Sequence, residues 1–181
     1  MRIWHLKFEV DEYDNLTPAE EFDLDEIQSF DGRRKINDWK PMIVKKIEDK
    51  PLSNAPGFSS HIPVIDKLAL EKLYDIINDF VEILPLQCSE GEYYALNITE
   101  VLDCIDYEKS EYKTFSDGIR IMRFIKYSFR EDKVNGKHIF KIVDEPRRRP
   151  FVSDEFRQRV LNSNLTGFKF ELAWDSENSN Q

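Results

Sequence analysis

The sequence predicts an α+β fold, a largely antiparallel mixed sheet with one long and one short helix packed on it. Strand-type alternation recurs along the chain, helical periodicity is confined to two stretches, and the two signals do not alternate as a parallel βαβ sheet requires. Hairpin-type turn signals between the strand runs complete the case.

The elements follow in order. Residues 3–10 alternate, with Trp4, Leu6, Phe8 and Val10 on one face and His5, Lys7 and Glu9 on the polar phase. An acidic stretch follows, carrying Leu16, Phe22, Leu24, Ile27 and Phe30 as anchors to the body. Asp31-Gly32 marks a turn, and Trp39, Pro41, Ile43, Val44 and Ile47 suggest another extended piece. A helix is expected from Asp66 to Ile83, its apolar side Ala69, Leu73, Ile76, Ile77 and Phe80, with Asp66 as N-cap and Pro85 as the stop. Tyr93 to Ile98 is apolar on both faces, as in a central strand. Ile119 to Phe129 reads as a strand with Ile119, Ile121, Ile125, Tyr127 and Phe129 on one side, and Asn135-Gly136 as a hairpin leading into Ile139–Val143. A short helix is expected from Ser153 to Ser163, with Asp154 and Glu155 in its first turn. The last strand sets Phe168, Phe170, Leu172 and Trp174 on one face. Both helices share an entry, Pro63-Val64-Ile65-Asp66 and Pro150-Phe151-Val152-Ser153, which reads as reused local geometry.

The length of 181 residues suits one domain, 1–181, with an irregular acidic part at 1–62, a core at 63–175 and a frayed tail at 176–181. Such a chain buries roughly 70% of its unfolded surface and needs neither disulfide nor metal to fold. Cys88 and Cys104 lie in apolar segments without metal-type spacing and are read as free thiols. No signal peptide and no apolar run of membrane-spanning length is evident, so a cytoplasmic protein is expected.

Charge is distributed unevenly. Ten carboxylates and no lysine or arginine fall between Glu9 and Asp31, while the chain as a whole has 35 acids and 26 bases, for a net charge of −9. The remainder is nearly neutral. An acidic lobe on a neutral body attracts a basic partner and repels nucleic acid. Candidate partner-binding residues there are Asp11, Glu12, Asp14, Glu20, Glu21, Asp23, Asp25 and Glu26, and a second acidic cluster, Asp103, Asp106, Glu108 and Glu111, is the other candidate surface.

No catalytic, cofactor-binding or metal-binding constellation stands out. Ser59 or Ser60 with His61 is the nearest approach to a nucleophile pair, but no glycine-framed elbow surrounds it, and a hydrogen-bonded loop histidine is the better reading. Asp103, Asp106 and Glu108 are the set that a Mg²⁺-dependent hydrolase would use, although their spacing does not specify a metal. Arg147, Arg148 and Arg149 form the one concentrated basic patch, expected to pair with the protein's own acids.

The stretch FVSDEFRQRVLNSNLTGFKFELAWDS, Phe151 to Ser176, resembles the C-terminal signature of a bacterial immunity-protein family, the eleventh of the polymorphic-toxin classification. IPVIDKLALEKLYDIINDFVEILPLQC, with its extended pair, long helix and Leu-Pro-Leu strand, YYALNITEVLDCIDYEKSEYK and IMRFIKYSFREDKVNGKHIFKI match in family order, over Ile62 to Asp175. The resemblance implies a non-enzymatic, cofactor-free bacterial protein that binds and neutralises a cognate toxin domain, often a nuclease, and the acidic lobe adds the expectation that this toxin domain is basic. Alternatives are the Mg²⁺-dependent hydrolase and an intracellular adaptor.

Overall fold

The computed structural model describes residues 1–19 and 24–177, Leu24 by its backbone alone. Expectations for Glu20, Glu21, Phe22, Asp23 and residues 178–181 lie outside the described residues. The elements are β1 (Arg2–Phe8), β2 (Leu16–Pro18), α1 (Leu24–Gln28), β3 (Ile43–Lys46), β4 (Val64–Asp66), α2 (Lys67–Ile77), β5 (Val81–Cys88), β6 (Tyr93–Ile98), β7 (Val101–Leu102), β8 (Glu111–Thr114), β9 (Ile121–Lys126), α3 (Glu131–Val134), β10 (Ile139–Ile142), β11 (Phe151–Ser153), α4 (Asp154–Asn162) and β12 (Phe168–Asp175). They form two five-stranded sheets, ordered β12-β1-β11-β10-β7 and β2-β3-β5-β6-β4, and a separate ribbon, β8-β9. Only β10–β7 and β3–β5 pair in parallel among the described strands, so the α+β, largely antiparallel expectation holds, distributed over two sheets.

The repeated entry sequence has a structural counterpart. β4 and β5 both pair antiparallel with β6, which lies between them, and α2 connects them. β11 and β12 flank β1 in the same way, connected by α4. In each unit a short strand runs directly into a capped helix. Asp66 accepts the Ala69 N–H at 2.8 Å and Ser153 accepts the Phe156 N–H at 3.1 Å, satisfying donors that a helix start leaves open. The two helices meet between the sheets, where Arg159 Nη1 reaches Asp75 Oδ1 at 2.7 Å.

The central core joins both units: Ala69, Leu73, Ile76 and Ile77 of α2, Phe156 and Val160 of α4, Leu6 of β1 and Leu96 and Ile98 of β6. Each fully buried Leu, Ile or Phe contributes up to about 3 kcal/mol. A second core lies on the other face of the β1 sheet, around Ile3, Phe129, Phe140, Phe151 and Trp174. A third, around Leu16, Phe30, Val44, Leu84 and Tyr93, is closed by Ile27, Trp39 and Leu52 of the N-terminal part.

Several expectations are corrected. The helix expected over Asp66–Ile83 is α2, and it ends at Ile77, because Asn78 caps it through Tyr74 and residues 81–86 gain a full ladder with β6. Pro85 therefore sits inside β5 instead of stopping a helix, ahead of Gln87 where pairing with β3 begins. Asn135-Gly136 follows α3 and makes no hairpin; β10 pairs with β11 and β7, and β9 with β8. Within β9 the inward residue is Phe124, 9% exposed, while Ile125 is 57% exposed, the reverse of the expected phase. That strand is apolar on both phases, so its burial depended on which neighbour it met.

In β12 the register shifts between the Ile3–Trp174 and Trp4–Leu172 pairs, leaving Ala173 as an extra residue. Such a bulge reverses the side-chain phase. Phe168 and Phe170 therefore pack on the central core, whereas Trp174 enters the second core and Leu172 faces outward. His5 is likewise not on a solvated face, because β1 has a core on each side. Its ring lies 4.6 Å from Phe151 and 5.2 Å from Tyr127, and desolvation lowers its pKa to about 4. Cys88 and Cys104 are free thiols.

Gly167 precedes β12 with φ of +86°, and a Cβ there would come within 2.1 Å of Ser53 Oγ and 2.6 Å of the Ala55 carbonyl oxygen. Gly167→Ala is expected to lower stability by about 2 kcal/mol from left-handed strain and crowding combined. Urea unfolding would measure it, and a loss under about 0.5 kcal/mol would contradict the packing described.

Candidate docking surface

The carboxylates of the N-terminal region divide into internal and external groups. Asp14, 1% exposed, is internal. Its Oδ1 accepts backbone N–H bonds from Asn15 (2.8 Å), Ile47 (3.2 Å) and Glu48 (2.9 Å), and its Oδ2 one from Lys50 (3.3 Å). Burial pushes this carboxyl upward, but the four N–H groups prevail and hold it below the usual range. Asp14 thus organises the 46–50 turn and is removed from the surface set.

Other members are matched by the protein's own cations. Glu9 pairs with Lys169 at 2.5 Å and Glu26 with Lys35 at 2.7 Å. Asp31 pairs with Arg33 at 2.8 Å and Arg147 at 3.3 Å; Arg33 chiefly holds its pKa down at about 2. Asp11, Glu12 and Asp25 are exposed. Three of the seven described carboxylates of the lobe, Glu9, Glu26 and Asp31, are therefore ion-paired.

The second acidic cluster occupies the turn from β7 to β8 and has a different setting. Asp103 pairs with Arg130 at 2.9 Å, and Asp106 with Lys109 at 3.4 Å. Glu108 and Glu111 are exposed and ion-pair with no described residue. Beside them, Tyr107 donates its hydroxyl to both Asp144 oxygens, at 3.0 and 2.9 Å, and desolvation with this carboxylate raises its pKa to about 12. Among the described residues, no three of His, Cys, Asp or Glu lie close enough to hold a metal ion, so nothing in the structure supports a Mg²⁺ site at Asp103, Asp106 and Glu108.

The ribbon β8–β9 rises next to this turn, and sequence reasoning missed its importance. Six of the sixteen large apolar side chains exposed among the described residues are Tyr107, Tyr112, Phe115, Ile119, Met122 and Ile125. Tyr107, Tyr112, Phe115 and Ile119 share one groove and form a patch, whereas Ile125 lines a different cleft beside Arg123 and Lys126. The ribbon pairs with neither five-stranded sheet. Phe124 anchors it, stacked on Tyr127 at 4.9 Å and meeting Tyr112 edge-on at 5.8 Å. Its tip is ordered by Asp117, whose Oδ1 accepts the N–H groups of Ile119 (2.9 Å) and Arg120 (3.0 Å). Arg120 then lies 5.2 Å over the Phe115 ring, and Gly118 takes the turn at φ of +69°. This organised tip holds Ile119 84% exposed. Tyr107, Tyr112, Phe115, Ile119 and Asp144 line a groove of about 570 Å³. The run of apolar residues at 119–125 is the available sequence signal, and it reads only as one side of a strand.

His61 and His138 are engaged in hydrogen bonds within the fold. Ser59 Oγ lies 2.9 Å from His61 Nδ1, but Nε2 of the ring meets the Ile27 carbonyl at 2.9 Å and no carboxylate orients it. His138 Nδ1 meets Ser153 Oγ at 3.0 Å, the oxygen that caps α4. No described helix is long and apolar enough to cross a membrane.

Residues 86–175 match the model of the Imm11 immunity protein family. The match runs from the end of β5 through β12 and so takes in the acidic turn and the ribbon, while residues 1–85 lie outside it. It bears out the family resemblance read from the sequence and supports an immunity function. No curated protein matches the chain.

Proposed function

We propose that this chain neutralises a cognate toxin domain by binding it without catalysis, and that the toxin presents a basic surface of the kind a nuclease uses for its substrate. The observation that carries the reading is an ordered apolar ribbon beside unpaired carboxylates, inside the segment that matches an immunity protein family. Apolar side chains on a preorganised tip supply contact area at low ordering cost, and the acids at its base speed encounter with a cation-rich partner. Glu108 and Glu111 are placed at this interface, with Asp103 and Asp106 shaping the turn. Asp11, Glu12 and Asp25, and Glu20, Glu21 and Asp23 of the lobe, supply longer-range attraction.

Co-expression and co-purification with the product of a neighbouring toxin-like gene test the function itself. In the resulting complex, Glu108→Lys with Glu111→Lys is expected to slow association at least tenfold at low salt, the difference shrinking as salt rises. Ile119→Asp is expected to speed dissociation about 30-fold without loss of stability, since that side chain is solvated in the free protein. Normal association and dissociation in both variants would remove the ribbon from the interface.

A further inference from the structure

On the side of β9 that bears Arg123, a cleft of about 530 Å³ opens between the ribbon, β1, β12 and the 145–149 loop. Lys7, Arg123, Lys126, Arg148 and Arg149 line it, against two carboxylates, Glu145 and Glu171. Both carboxylates are already engaged: Glu171 with Lys7, and Glu145 by the Tyr127 hydroxyl at 2.9 Å. Arg123, Lys126, Arg148 and Arg149 form no ion pair with any described residue, and of the arginine triplet only Arg147 pairs with an acid, Asp31. The expectation that all three arginines serve internal pairing thus holds for one.

We propose that this cleft is a binding site for a small anion carrying two or more phosphate groups. Four unpaired cations facing one concavity repel one another in a protein whose net charge is −9, and a multiply charged anion converts that repulsion to attraction. Guanidinium forks match phosphate oxygens two at a time. The arginine loop is held in place for this: the Arg148 N–H bonds to the Glu145 carbonyl at 3.0 Å, and the Pro150 carbonyl accepts the Leu6 N–H at 3.0 Å. The size of the cleft suits a small molecule. A long nucleic acid would extend past the cleft onto a net-acidic surface, which favours a compact anion. His5 at the floor is uncharged at neutral pH, so the cations of the rim do the binding, and a bound anion would raise the His5 pKa.

Thermal unfolding of the full chain with pyrophosphate, in low-chloride buffer, tests the site. Saturating pyrophosphate is expected to raise Tm by about 5 °C. Arg148→Gln with Arg149→Gln should abolish the rise, whereas Lys40→Gln with Lys45→Gln, which removes equal charge outside the cleft, should preserve it. The His5 ring resonances should titrate at higher pH when pyrophosphate is bound. No rise in Tm, or an equal rise in the Arg148/Arg149 variant, would overturn the proposal. So would tighter binding of hexaglutamate, which would make the cleft a seat for a partner's acidic segment, or of a single-stranded oligonucleotide. The toxin-binding reading stands or falls separately, on co-purification.

Discussion

Asp14→Ala is expected to cost about 3–5 kcal/mol, a large share of the stability of a domain this size. The side chain is 1% exposed, and its removal leaves the N–H groups of Ile47, Glu48 and Lys50 without their carboxylate acceptor. Ile47 retains a bond to the Asn15 carbonyl at 3.1 Å, so the greater loss falls on Glu48 and Lys50. Asp14→Asn keeps the shape but presents an NH₂ where one oxygen accepted, and should fall between wild type and alanine. The pH dependence has a definite sign. A carboxyl held below its ordinary value of 3.8 gives its full stabilisation above that value and loses it as pH falls through the folded pKa. Wild type and Asp14→Ala should therefore converge in urea midpoint under strong acid. A constant gap from pH 7 to pH 2 would show that Asp14 acts through packing and not through its charge.

The second large effect concerns Lys141 in β10, a strand whose four residues are all buried. It is 1% exposed, and its Nζ donates to the Phe30 carbonyl at 2.6 Å. Desolvation lowers its pKa to about 8 from an ordinary 10.5, with Asp31 opposing the change. Between these values the unfolded chain binds a proton that the folded chain lacks, so this residue makes stability rise with pH from about 8 to about 10.5, by about 3 kcal/mol over the full range. Cys104, its thiol raised by burial from 9 to about 12, acts in the opposite direction above about pH 9, and the phenols of Tyr93, Tyr107 and Tyr127, also raised, do so above pH 10, so the useful window is pH 8–9. In Lys141→Met the rise should vanish, with stability at pH 7 equal to or above wild type, because an apolar side chain of similar length avoids the buried charge. Urea midpoints at pH 7.5 and 9 would show it; parallel changes in the two proteins would refute the assignment. Lys141 also has a positional role. With Arg147 on Asp31, it fastens the Phe30–Asp31 turn to the segment that matches the immunity family, so its loss should loosen the acidic N-terminal part first.

The contrast between the two acidic regions is instructive. Counting charge along the chain singled out residues 9–31, but Lys169, Lys35, Arg33 and Arg147 meet Glu9, Glu26 and Asp31 only once the chain is folded. All but Lys35 and Arg33 come from the far end of the sequence, where nothing local announces the pairing. Asp14 shows the same limit: no pattern in sequence distinguishes a surface carboxylate from one that gathers four backbone N–H groups. Conversely, Glu108 and Glu111 are legible as acids, while the segment that forms the apolar ribbon beside them reads only as a strand, with no sign that it stands apart from the sheets.

What the sequence determined by itself rests on local chemistry and periodicity. The strand-to-cap entries at Val64–Asp66 and Phe151–Ser153, the short helix after Ser153, the two-sided burial of Tyr93–Ile98 and the family likeness of the C-terminal half all follow from spacing and residue type. Tertiary structure decided where apolar character on both faces left the phase open. It ended α2 at Ile77 so that 81–86 could pair with β6, turned Trp174 across the sheet at a bulge, and left Ile119 and Ile125 in solvent on a ribbon with no third strand. The physical reason is common to all three. A side chain's free energy of burial depends on the surface that arrives opposite it, and that surface is supplied by residues distant in the chain.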